Sequence, residues 1–177
     1  AKVSPSLSLV RHALQAQSLA LAGHREQALR EYALVYEDGW KDEDPAIRQG
    51  LGHLTAQLLN YAALLAPGAK REDLIDAAAR HLATRRANGF GLPWAHYQAA
   101  QIATMRGDRA TAMRELDLAI DAGYTDVLSL KRDLPWQALE GDLAFEARRQ
   151  RLASIARAQR QELASKTVET TAGPAAR

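Results

Sequence analysis

From Leu7 onward the apolar residues Val10, Ala13, Leu14, Ala16, Ala20 and Leu21 recur at helical spacing, and the run closes at Gly23. Ser4-Pro5-Ser6 reads as its start, since proline is tolerated in a first turn. A second run carries Ala28, Leu29, Tyr32, Val35 and Tyr36 on one side, with Arg25, Glu26, Arg30 and Glu37 on the wetter side. Gly39 then supplies a left-handed stop, and Trp40 the apolar contact that follows it. Asp44-Pro45 predicts the cap and first residue of a long helix over 46–66, ending at Pro67-Gly68. Further helices are predicted over 71–88, 94–106 and 109–122. The breaks between them are Gly89-Phe90-Gly91-Leu92-Pro93 and Gly107-Asp108. A short irregular segment runs from Asp126 to Leu139, and a last helix over 143–165. The tail 167–177, rich in Thr, Ala, Gly and Pro, is expected to be disordered.

These elements recur. Asn88-Gly89-Phe90 and Ala122-Gly123-Tyr124 stand 34 residues apart, and a third copy, Asp38-Gly39-Trp40, lies 50 residues earlier. The hairpin turns Gly23-His24 and Gly107-Asp108 are 84 apart, which is two periods of 34 and an excess of 16. Each turn is preceded by a small residue, Ala16 or Ala100. It is followed by Ala28 or Ala112, then by a large Tyr32 or Leu116, then by Trp40 or Tyr124. Small residues let two helices approach, and the large one fills the space beside them. Ala78 and Leu82 take the same places in a middle unit. The excess is expected in that unit, around the acidic loop and the long helix 46–66.

The period, the hairpin glycine and the Ala-x3-large pattern resemble the tetratricopeptide repeat family. The resemblance covers residues 9 to 124. It implies an all-α, antiparallel helix-hairpin solenoid with hairpins at about 7–40, 46–89 and 94–123, inside one helical domain over 1–166. The repeats are divergent: His12…Ala16 and His96…Ala100 stand where the family's first-helix Trp-x2-Leu-Gly-x2-Tyr is usual, and the closing Pro is replaced by Gly-aromatic. The run Leu130-x2-Asp133-x-Pro135-Trp136-x2-Leu139-x-Gly141-Asp142-x2-Phe145 resembles the ending of many bacterial domains of this kind. Those domains often lie at the C-terminus of signalling enzymes or of regulators with a winged-helix end. A solenoid needs a terminal cap over its last apolar face. Trp136, Leu139 and Phe145 are suited to that, with Leu152, Ile155, Ala156 and Leu163 continuing along a capping helix, so the cap is placed at 126–165.

Composition narrows the chemistry. Cys is absent, which removes disulfides, thiolate metal sites and thiol nucleophiles. The formal net charge is +2 although the isoelectric point is near 9.1, because little titrates between pH 7 and 9. Nucleic acid is therefore not the expected partner. The arginines at 148, 149, 151, 157 and 160 read as a solvated face, since acidic neighbours dilute them and no stacking aromatics alternate with them. The five histidines, His12, His24, His53, His81 and His96, form no His-x3-His pattern, so no metal is expected. The acidic cluster Glu37, Asp38, Asp42, Glu43 and Asp44 lacks the alternation of a calcium loop. Gly89-x-Gly91 follows a helix and is no dinucleotide fingerprint. No apolar run reaches the roughly 20 residues of a membrane span. Catalysis and cofactors are not expected, and the compartment, cytoplasmic or periplasmic, stays open. The start at Ala1 reads as that of a processed protein or excised domain.

The expected function is protein–protein interaction or scaffolding, as the C-terminal docking or sensory part of a larger bacterial protein. In the family's pattern the partner groove falls on Trp94, Tyr97, Gln101, Thr104 and Met105, and on Gln17 and Leu21. Such a groove suits an apolar or helical protein or peptide partner. The competing reading packs Trp94 and Tyr97 under the helix 46–66. Two alternatives stand beside it: a homodimer whose copies occupy the groove, and a ligand-sensing domain of a transcriptional regulator. The repeat itself is testable through Ala112, which should sit where two helices touch. Ala112→Trp should cost about 1–3 kcal/mol or more by overpacking; an unchanged melting temperature would refute the assignment.

Overall fold

A computed structural model of the protein describes residues 5–38 and 54–171, and the regular structure among them is helical. Helix α1 spans Pro5–Leu21, and α2 spans Arg25–Ala33 and runs into one π-helical turn, Leu34–Asp38. They are followed by α3 at Leu54–Leu64, α4 at Ala69–Ala87, α5 at Leu92–Met105 and α6 at Arg109–Asp121. A single turn, α7, covers Ser129–Arg132. A 3-10 segment at Leu134–Leu139 leads to the long α8, Leu143–Thr171. Across their short turns α1 packs on α2, α3 on α4 and α5 on α6.

Several boundaries differ from the sequence expectation. Pro93 lies in the first turn of α5, which begins at Leu92; proline's missing N–H costs nothing there. Helix α4 starts at Ala69, before Arg71. Helix α8 continues to Thr171, so residues 167–171 are helical where disorder was expected. The run from Gln159 to Lys166 is made of strong helix formers, and Lys166 pairs with Glu162 at 2.6 Å, one turn away. Gly39, Trp40, the acidic residues 42–44, Pro45, His53, the first part of the expected helix 46–66 and residues 172–177 lie outside the described residues.

The 34-residue count has a geometric meaning. Gly89 and Gly123 have φ of 81° and 94°, a region that side chains with a Cβ rarely adopt. Each ends its helix with the Schellman bond, from Phe90 N to Arg85 O and from Tyr124 N to Ala119 O, both 2.9 Å. The turns at Gly23 and Gly107 make the same bond, His24 N to Leu19 O and Asp108 N to Ala103 O, also at 2.9 Å.

Inside the hairpins Ala16, Ala28 and Tyr32, Ala78, and Ala100, Ala112 and Leu116 are fully buried, and Leu82 nearly so. A polar pair crosses each hairpin. His12 Nδ1 meets Glu31 at 2.6 Å and His96 Nδ1 meets Glu115 at 2.8 Å, both across 19 residues. In the middle hairpin Thr55 Oγ1 meets His81 Nδ1 at 2.7 Å across 26 residues. The middle hairpin is thus longer by about two helical turns. Part of the added length lies in α4, whose 19 residues exceed the 13 of α6. The acidic loop and the first part of the helix 46–66, where the excess was also expected, lie outside the described residues.

Arginines join each hairpin to the next. Arg25, first in α2, donates to Leu64 O at the end of α3 (2.6 Å), and Arg71 of α4 donates to Met105 O at the end of α5 (2.9 Å). A cation at a helix C-terminus satisfies an orphan carbonyl and complements the dipole. At the third place Arg109 of α6 grips Asp142 with two bonds of 2.5 and 2.9 Å. Asp142 caps α8 by accepting from Ala144 N and Phe145 N. Two arginines of the basic run on α8 serve the same joint: Arg148 pairs with Asp117 and Arg151 with Asp121, each at 2.5 Å. Arg149 pairs with Glu146 on its own helix, and Arg157 and Arg160 are exposed.

The Arg109 guanidinium, followed by the backbone donor at Phe145, holds the Asp142 carboxyl down at about 2. A free aspartate titrates near 3.9. The stabilisation is therefore complete above pH ~4 and is lost as the pH falls toward 2. Asp142→Ala should melt below the wild type at neutral pH, and the gap should close between pH 4 and 2. A gap independent of pH in circular-dichroism melts would contradict this joint.

Candidate functional site

Helices α3 and α5 each turn one face toward the same segment. On α5 Tyr97 and Gln101 are one turn apart, and on α3 Gln57, Asn60, Tyr61 and Leu64 follow the same 3.6-residue spacing. The 3-10 segment Leu134–Leu139 lies against both helices. It is introduced by Asp133, whose backbone is extended at φ −72° and ψ 123°. Tyr97 Oη donates to Asp133 Oδ2 at 2.8 Å, and Gln101 Nε2 donates to the same oxygen at 2.9 Å. Trp136 Nε1 donates to Tyr97 Oη at 2.8 Å, so the phenol both gives and receives. Leu134 N donates to Asn60 Oδ1 at 3.2 Å.

Apolar contacts complete the seat. Leu134 joins the cluster of Ala16, Ala28, Tyr32, Tyr61 and Leu64. The rings of Tyr32 and Tyr61 stack at 5.3 Å, and those of Tyr36 and Tyr61 at 5.5 Å. Trp136 lies 5.5 Å from Tyr97 and 5.2 Å from Phe145, while Tyr97 stacks on Tyr124 at 4.3 Å. Full burial of such side chains is worth about 1.5–3 kcal/mol each. Burial pushes the Tyr97 phenol well above the usual tyrosine value, and the Asp133 carboxylate adds to the rise. Tyr97 therefore stays a protonated donor toward Asp133. Burial raises Tyr32 as well, and its hydroxyl donates to Gln57 Oε1 at 3.1 Å.

The expected groove is thus filled. Tyr97 and Gln101 are brought together, but on the chain's own Asp133. Thr104 is buried, its hydroxyl turned back to Ala100 O at 2.9 Å, and Met105 is buried between α3, α4 and α5. Neither lines an open surface. The cause is that buried phenol, amide and hydroxyl groups require partners, which the 133–136 segment and the helix backbone supply. Trp94 remains 41% exposed, edge-on to Tyr97 at 6.0 Å and Tyr124 at 5.0 Å. Tyr97 packs on Tyr124 and Trp136; residues 46–53 of the helix named in the competing reading lie outside the described residues. On α1, Gln17 is half-buried and Leu21 is exposed, and neither hydrogen-bonds to the Asp133 group.

Asn60, Gln57, Glu31 and Glu115 were not singled out from the sequence, and Asp133 was marked only as part of the cap motif. Their signals were present. Gln57, Asn60, Gln98 and Gln101 are amides on otherwise apolar helices, and all four are buried. Glu31 and Glu115 stand 84 apart, as His12 and His96 do. Among the described residues no three His, Cys, Asp or Glu side chains gather as a metal site, and no helix is long and apolar enough to cross a membrane.

A separate open cleft of about 500 Å³ lies between α4, α5 and the start of α6. Ala79, Leu82, Ala83, Ala99, Ile102 and Ala103 form its floor, with Arg86 and Arg106 at its edge. Both arginines are engaged: Arg86 with Ala95 O and Glu115, Arg106 with Asp76.

No family model matches the chain, and neither a curated protein nor a solved structure matches it.

Tyr97→Phe removes one donor from the Asp133 carboxylate and the acceptor of Trp136. It should cost about 1–3 kcal/mol, the range for a buried polar group left unpaired. Urea unfolding measures this, and a loss under about 0.5 kcal/mol would mean the network carries little of the fold.

Proposed function

We propose that the chain is a non-catalytic protein-interaction module, built as a short tetratricopeptide-like stack of hairpins whose inner face recognises a short peptide segment. One observation carries this reading: the inner face already holds such a segment by side-chain recognition. Tyr97 and Gln101 read a carboxylate, Asn60 reads the next backbone N–H, and two apolar seats take Leu134 and Trp136. The arginine links between hairpins support it further, because they hold the first helices in fixed register, as a scaffold surface requires. In a longer bacterial protein the module would serve as its docking part.

A second reading, self-association, is favoured by Leu14 and Leu21, which are 57% and 47% exposed and two turns apart on α1. Sedimentation at micromolar concentration separates it: a monomer removes it.

Trp94 sits beside the occupied face and is open to solvent, so it reports on anything that docks there. A photoreactive residue at position 94, irradiated in an extract of the source cells, should label a discrete protein. The same group at exposed Gln159 on α8 should not. Identical labelling from both positions would refute the module.

A further inference from the structure

We propose that Asp133–Trp136 is a displaceable pseudo-ligand, and that the face it covers takes in trans a protein segment of the same chemistry. That partner is a short stretch, extended at an acidic residue and then turning as a 3-10 segment, with a branched apolar residue next and an aromatic residue two positions further on. The proposal rests on the interaction-module reading and adds to it the partner's class and the way the site is kept closed.

Three observations carry it. The first is how the segment is held. Asp133 is extended, and its carboxylate is read by two neutral donors, Tyr97 Oη and Gln101 Nε2. Asn60 reads the backbone of the following residue, and Trp136 is anchored through its indole N–H. This is recognition of a sequence by helices far from it in the chain, with separations of 32 to 74 residues.

The second is an imperfect fit. Gln101 is fully buried, its Nε2 is spent on Asp133, and its Oε1 has no hydrogen-bond partner among the described residues. A buried acceptor left unpaired weakens the closed state. A partner that places an N–H donor there gains what the chain's own segment forgoes.

The third is the way the segment is mounted. It follows the four-residue α7 and forms a six-residue 3-10 turn, with Gly123 and Gly141 in left-handed conformations on either side. Its hold on α3 and α5 is by side chains, with Leu134 N to Asn60 as the backbone's contribution. Leu134 and Trp136 are buried, so lifting the segment uncovers both seats, and a partner carrying the same side chains refills them. Beyond it, α8 keeps its own arginine pairs to Asp117 and Asp121, so the cap stays attached when the segment lifts.

An intramolecular competitor acts at a millimolar effective concentration, and it lowers apparent affinity by the fraction of closed sites. The test uses the full chain and a fluorescein-labelled peptide with the sequence of residues 129–139. Asp133→Ala in the protein should bind the peptide at least ten-fold more tightly than the wild type, in fluorescence anisotropy. The peptide should also raise the variant's melting temperature, and its own Asp→Asn form should bind at least five-fold more weakly. A folded variant that binds no better than the wild type overturns the proposal, as does indifference to the Asp→Asn change.

Should Asp133→Ala not fold, hydrogen exchange on the wild type replaces it. Excess peptide should speed exchange at Leu134 and Trp136, and unchanged protection overturns the proposal. A dimer that exchanges its 133–136 segments and takes up no peptide also overturns it. A discrete partner labelled from position 94, without any peptide effect, sinks this proposal and leaves the module reading standing.

Discussion

A carboxylate can enter the inner face of a helix stack only where donors wait for it. Among the described residues Asp133 finds two, Tyr97 Oη and Gln101 Nε2, on consecutive turns of α5. Buried phenol and amide groups need such a partner, which favours a single register for the contact. Once Asp133 is placed, the rest follows within a few residues. Leu134 falls among Tyr32, Tyr61 and Leu64, Pro135 has no N–H to satisfy, and the Trp136 indole reaches back to Tyr97. Three hairpins far apart in the chain meet at this one stretch.

The hairpins are joined to one another by a second, simpler device. Each second helix opens on or near an arginine, and each of those arginines reaches a group belonging to the next unit: Leu64 O, Met105 O, or the Asp142 carboxylate. At the first two joints the cation meets a helix C-terminus; at the last it meets the cap of α8. The polar pairs within hairpins, His12–Glu31, Thr55–His81 and His96–Glu115, tie the two helices of each unit near their outer turns. Among the described residues, burial raises the Tyr32 and Tyr97 phenols, and their hydroxyls donate hydrogen bonds within the core.

How much of this was legible beforehand depends on the range of the interaction. The helices were readable because their apolar spacing is local, and the left-handed glycines at 89 and 123 were readable because a helix stop is written within three residues. Pro93 was misread as a break because it is equally at home in a first turn, and only the neighbouring backbone decides between the two. Residues 167–171 were read as a tail from their Thr content, although the helix arriving from Ala164 carries through them. Arg148 and Arg151 looked solvated like the exposed Arg157 and Arg160 because their partners, Asp117 and Asp121, lie about 30 residues away.

The site shows the same division. Tyr97 and Gln101 were marked from the sequence as lying on one face of their helix, and both turn to Asp133; their sharing a face follows from helical period and needs no tertiary information. That the face is filled, and by which residues, was not written at short range. Asn60 and Leu134 are 74 residues apart, and Gln101 and Asp133 are 32 apart. Such pairings depend on hairpin lengths, on the arginine joints and on the longer middle unit, which together set where the chain's return passes. By itself the sequence determined the helices, their stops and the faces they turn inward, because these depend on neighbours within a turn or two. Only the tertiary structure decided that the inward faces are occupied by the chain itself, because a buried polar group takes whichever partner the packing brings within 3 Å.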